Sequence, residues 1–162
     1  MNPSEIATLY RETSARGNRP VELVVKLYDA ILEDLRRAVH AAGAGDVQGR
    51  TASLNHALLV IAELQSVLNH AQGGETAQRL DGFYNVTRAL IVDANLHSSP
   101  ERLQRLVDLY LPLRQAWKQV ENETSAGNPQ SPSAAENLRR AASAAAPVES
   151  SDSDVEQAQW SA

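Results

Sequence analysis

In a chain without cysteine the first residues to search for chemistry are its histidines and carboxylates, here four His and 20 Asp plus Glu. A di-iron helical bundle needs a Glu from each of two helices and Glu-x-x-His from the other two. No Glu-x-x-His occurs in the sequence. Asp93 and His97, four apart, make a two-ligand pattern at a helix end, where a solvated imidazole favoured by the helix dipole explains the spacing. His40, His56 and His70 have no carboxylate or histidine at a spacing that repeats it, and surface or helix-end roles account for them. Glu33–Asp34 fall on a polar helix face, where charge is ordinarily solvation. Gly73–Gly74 is followed by no Lys and preceded by no strand, so it is not a phosphate loop. No Gly-x-Ser-x-Gly elbow is present. The reading is a non-enzyme: no catalytic residues, no metal and no cofactor.

The elements that carry these residues are helical. The chain is 43% hydrophobic but only 4% aromatic, and Ala and Leu dominate, a balance that suits helices better than strands. Met1 to Arg11 lack an apolar h-region and a cleavage pattern, so no signal peptide is expected. No window approaches the roughly 20 apolar residues of a membrane span. Residues 1–121 are close to neutral, whereas 122–162 hold six acids against two bases. A near-neutral body has no basic stripe for a phosphate backbone, which argues against nucleic acid as a partner.

The periodicity predicts an all-α, antiparallel up-down four-helix bundle over 20–121, with helices at about 20–42, 51–71, 75–97 and 100–121. Val24, Leu27, Tyr28, Ile31, Leu35 and Val39 stripe the first; Leu54, Ala57, Leu58, Ile61, Leu64 and Leu68 stripe the second. Leu80, Tyr84, Thr87, Leu90 and Ile91 mark the third, and Leu103, Leu106, Tyr110, Leu113 and Trp117 the fourth. Pro20 suits a first helical turn, and Ser99–Pro100 reads as N-cap and first turn. Pro112 removes a backbone donor inside the fourth helix and should kink it. Residues 1–19 form an N-terminal segment with a short helix candidate at Ser4–Ala15, whose small apolar face includes Ile6 and Tyr10. Residues 122–162 read as a disordered, acidic Ser/Ala-rich tail, because they cannot bury enough apolar surface to offset ordering. Ser133–Ala146 could form a transient Ala-rich helix.

The first two helices carry more apolar residues than one core stripe needs: Leu23, Val24, Val25, Leu27 and Ile31, then Leu58–Leu59–Val60–Ile61. Two explanations stand. Each helix of a small bundle touches two neighbours and so has a wide apolar face, or the surplus lines an exposed groove for another helix or an extended peptide.

Pro20-Val-Glu-Leu23-Val-Val-Lys-Leu27-Tyr28-Asp29-Ala30 resembles the opening of the first bundle helix in FliS-type flagellar secretion chaperones. The resemblance continues through Gly73-Gly74-Glu75 with Leu80 and Tyr84, Ala94-Asn95, and Leu113-Arg114-x-Ala116-Trp117, with Tyr10 and Ile6 upstream. It covers residues 6–121 and leaves the acidic tail outside. It implies a cytoplasmic chaperone that binds the disordered C-terminal segment of flagellin, prevents premature polymerisation and delivers the client to a membrane protein of the export gate. The implied partner-binding set is Ile6, Tyr10, Leu23, Leu27, Tyr28, Ile31, Ile61, Leu64, Leu68, Tyr84 and Leu90. In the family, the segment carrying the counterparts of Ile6 and Tyr10 folds over the bundle and takes part in the hand-over. Tyr28 and Tyr84 also fit a core placement with one polar tip, Trp117 a core placement, and Asn95 a capping or packing role. A homodimer that exchanges the N-terminal segment would be an economical cover for an exposed groove. The alternatives are a helical adaptor or regulatory protein taking a different partner helix on the same groove, and, further off, a metal-dependent bundle enzyme.

Overall fold

The computed structural model describes residues 20–125 together with positions 139, 140 and 143. Four helices run in sequence: α1 (Pro20–Gly43), α2 (Val47–Ser66), α3 (His70–His97) and α4 (Pro100–Ser125). They form an all-α four-helix bundle. The expectations for Ile6, Tyr10 and the segment before Pro20 lie outside the described residues, as do those for nearly all of the tail.

Local signals explain most boundaries. Glu22 in the first turn of α1 and His40 in its last turn both complement the helix dipole. Gly45 turns the chain at φ +72°, and Asp46 then caps α2, its Oδ1 accepting from the Gly49 amide at 2.9 Å. The second helix therefore opens one turn before the expected Thr51. A Cβ on Gly49 would run into the Asp46 carboxylate, so the glycine inside the helix leaves room for the cap. α2 also ends earlier, at Ser66, because Asn69 caps α3, its Oδ1 accepting from Gln72 N at 3.0 Å. Gly74, at φ +47° and ψ −128°, breaks the helical path just inside α3. The Gly73–Gly74 pair thus bends the start of α3 instead of ending α2.

Ser98 closes α3 in the left-handed region, its amide bonding Ala94 O and Asn95 O. Ser99 caps α4 by accepting from Arg102 N at 3.3 Å. Pro112 lies on the exposed side of α4, and the helix runs on past it to Ser125. A missing donor costs least where solvent can satisfy the freed carbonyl.

α1 packs along its length against both α2 and α4, whereas α3 touches the same two helices more sparsely. The centre is aromatic. Phe83 and Tyr110 meet edge to face with centroids 5.1 Å apart, and Tyr28 lies 5.9 Å from Tyr110. Three buried phenols would be costly without partners. Tyr28 and Tyr84 share a hydrogen bond between hydroxyls at 2.7 Å, and Tyr110 shares one with Thr87 Oγ1 at 2.8 Å. The first of these joins α1 to α3 through the middle of the bundle. Burial pushes all three phenol pKa values up, well clear of neutrality, so the rings stay neutral.

Candidate partner-binding surface

Most of the expected partner-binding residues are interior in this structure. Leu23, Leu27, Tyr28, Ile31, Ile61, Leu64 and Tyr84 are all buried within one hydrophobic cluster. Leu68 is half-buried against that cluster, and Leu90 is exposed. The aliphatic surplus of α1 is therefore turned inward. Its wide face serves two neighbours, the first of the two explanations above. In α2 the surplus divides: Val60 and Ile61 point inward, Leu58 is half-buried, and Leu59 is 52% exposed.

The most exposed large apolar side chains among the described residues all belong to α2 or α3. They are Val47, Leu59, Leu90, Val92 and Leu96, the last 78% exposed. Val92 and Leu96 are four apart and so share one face of α3. Neither was among the expected contacts, because both fall off the core stripe. A search for a second apolar stripe on the third helix would have found them.

A cleft of about 350 Å³ opens where α1 and α3 begin and α2 and α4 end. Val24, Leu64, Leu68, Leu80, Tyr84 and Trp117 are among its walls. The structure thus brings Leu64, Leu68 and Tyr84 together. Trp117 is half-buried against the core. Its indole N–H makes no hydrogen bond of good geometry, although it lies close enough to the Tyr28 phenol to pull that pKa slightly down.

Polar side chains distinguish the two seams of α2. Between α1 and α2, Asp34 is only 4% exposed and pairs with His56 Nδ1. This corrects two expectations: Asp34 does not sit on a solvated face, and His56 is no surface residue. Burial raises the Asp34 pKa, while the bond to His56 and the charge of Arg37 pull it down. His56 Nε2 is buried without a partner. The pair borders a half-open pocket of about 290 Å³, with Lys26, Asp29, Glu33 and Arg37 around it. Between α2 and α3, buried Arg50 donates from Nε to Asn95 Oδ1 at 2.9 Å, so Asn95 packs across the seam. Gln65 links the same two helices at the other end.

No group of three or more His, Cys, Asp or Glu among the described residues could hold a metal ion. His97 Nδ1 bonds the Asp93 carbonyl at 2.9 Å and stands in solvent. No helix among the described residues is long and apolar enough to cross a membrane. The arrangement offers surfaces for apolar contact.

The comparisons with known proteins agree on one relationship. The family described as flagellar protein FliS matches residues 2–124. The flagellar secretion chaperone FliS of Campylobacter jejuni is 29% identical over 113 residues, covering 70% of this chain and 88% of that protein. Its namesake in Vibrio cholerae is 28% identical over 64% of this chain and 76% of its own length. The Salmonella typhimurium protein of the same name is 27% identical over 70% and 85%. With the family match spanning most of a four-helix bundle, the chain belongs to the FliS family of flagellar proteins.

Proposed function

We propose that this flagellar export chaperone holds the C-terminal segment of flagellin in the cytoplasm, keeps it from polymerising, and delivers it to the membrane protein of the export gate. The observation that carries the reading is the confinement of exposed large aliphatics to α2 and α3. Apolar side chains displayed on two loosely joined helices suit an amphipathic segment that orders as it binds. Leu59, Val92 and Leu96 make the direct contacts, with Leu64, Leu68 and Tyr84 at the cleft wall, and Leu90, two residues from Val92, serves from the opposite flank of α3. Leu23, Leu27, Tyr28, Ile31 and Ile61 act from inside, by setting the positions of the helices that display this surface. Ile6 and Tyr10 take part in the hand-over, as the family resemblance implies.

An aliphatic surface also suits release. Its exposed side chains supply area without aromatic anchors, which make a contact hard to undo, and the aromatic Tyr84 and Trp117 are confined to the cleft wall. The test is a calorimetric titration of the cognate flagellin C-terminal segment into the full-length chain. Saturable binding is expected, lost in Leu59→Asp and Val92→Asp while the far-ultraviolet circular dichroism stays unchanged. If the wild-type chain shows no saturable binding, the reading is wrong.

A further inference from the structure

Aliphatic docking leaves one feature of the α2–α3 face unused. Gln65 has both ends of its amide engaged across the seam. Its Nε2 donates to Asp81 Oδ1 at 2.9 Å and to Asn85 Oδ1 at 3.0 Å. Its Oε1 accepts from Arg88 Nη1 at 3.0 Å. Asp81, Asn85 and Arg88 are spaced by four and three along α3, so they form one stripe. Two further steps of four lead from Arg88 to Val92 and Leu96, both exposed aliphatics.

Arg88 differs from the other arginines of these two helices. Arg50 is buried against Asn95, and Arg79 is paired with Glu75. Arg88 is exposed and binds a neutral carbonyl, and the ion pairs among the described residues engage other cations. A neutral acceptor orients a guanidinium without spending its charge. The remaining donors of its planar fork stay available to a carboxylate. A side chain already held in place also loses less freedom when a partner arrives.

We propose that Arg88 is a specificity-determining residue of the docking face: it reads a carboxylate on a client helix whose apolar side chains lie along Leu59, Val92 and Leu96. The proposal rests on the reading of that face as the client surface. It adds the client's chemistry, an amphipathic helix with an acid beside its apolar stripe. Apolar contact supplies the bulk of the affinity, and the charge selects among helices that would otherwise fit alike.

The experiment titrates the cognate flagellin C-terminal segment, and versions with each acid changed singly to Lys, into the full-length wild type, Arg88→Gln, Arg88→Glu and Val92→Asp. At low salt, Arg88→Gln should bind roughly twofold to fivefold more weakly, the scale of an accessible ion pair, and the difference should shrink as salt is added. Arg88→Glu should lose more, and one acid-to-Lys segment should restore its binding while weakening that of the wild type. Circular dichroism melts, expected to be unchanged for an exposed side chain, keep loss of fold apart from loss of contact. Unchanged affinity of Arg88→Gln at low salt beside a defective Val92→Asp would overturn the role of Arg88 and leave the docking face standing. Failure of every acid-to-Lys segment to rescue Arg88→Glu would do the same. A wild type that fails to bind the segment overturns both readings.

Discussion

The two seams of α2 are built from opposite materials. Against α1 the contact is extensive and closely packed, and it encloses a carboxylate and an imidazole. Against α3 the contact is sparse, bridged by Gln65 at one end and by Arg50–Asn95 at the other. A closely packed seam fixes distances well enough to bury a polar pair. A sparse seam with hydrogen-bonded ends holds two helices in register while leaving their apolar flanks uncovered. One helix thus serves as a wall of the core and as part of a surface, and its side chains sort by the angle at which they leave the axis.

The sharpest way to break this contrast is to place the same charge on both sides of α2. Ile61 is fully buried and Leu59, two residues earlier, is half exposed. Ile61→Asp puts an unpaired carboxylate in an apolar interior and should cost about 4 kcal/mol or more, enough to unfold a domain of ordinary stability. Leu59→Asp should change stability by less than about 0.5 kcal/mol. Urea denaturation of the two variants measures the difference, and equal losses would show that α2 has no outer face.

The buried pair comes next in size. His56→Ala leaves Asp34 enclosed without its hydrogen-bond partner and should cost about 3 kcal/mol. Replacing both partners, Asp34→Asn with His56→Ala, removes the charge together with its counterpart and should cost far less than the two single losses combined. Chemical denaturation of all four chains closes the double-mutant cycle. A coupling near zero would mean that the contact contributes nothing.

Some of this was legible in the sequence, and the rest was hidden for physical reasons. The 3.6-residue stripes and the Ser99–Pro100 start of α4 are local signals, and they placed the bundle. Asp46 and Asn69 are equally local caps. The glycine pair beside Asn69, Gly73–Gly74, falls between the expected second and third helices and conceals the start of α3. The Asp34–His56 pair joins residues 22 apart on different helices, and no spacing rule links them. Deciding which aliphatics face out required knowing that α1 touches two neighbours closely while α3 is held loosely. Leu23 and Leu27 could then be seen as interior and Val92 and Leu96 as surface. Periodicity locates a stripe; only the packing of neighbours says whether anything covers it.

The pH dependence of the closely packed seam tests the same contrast more gently. Burial raises the Asp34 pKa above its ordinary 3.8. The folded state therefore holds that proton more tightly than the unfolded chain does. The resulting contribution to stability is fully present below the unfolded value and is lost as pH rises through the folded value. Asp34→Asn removes this dependence. As pH falls from 7 toward 4, the stability of the wild type should gain relative to Asp34→Asn. Urea midpoints across that range supply the measurement. A flat difference would mean that the carboxylate is as well solvated as one at the surface.

The smallest expected effect lies in the sparse seam. Gln65→Ala removes three hydrogen bonds at once, two of them solvent-exposed. Water can replace exposed bonds at little cost, so the global stability should fall by no more than about 1 kcal/mol. Its consequence should instead be local. With the Gln65 bridge gone, the first half of α3 keeps the turn at Gly74 and loses its tie to α2. Amide exchange there should quicken, while the amides of α1, closed on both flanks by packed neighbours, keep their protection. If α1 and α3 quickened together, the bundle would open only as one unit and the two seams of α2 would be mechanically equivalent. Quickening confined to α3 would show a face that can loosen around an incoming helix without giving up the core behind it.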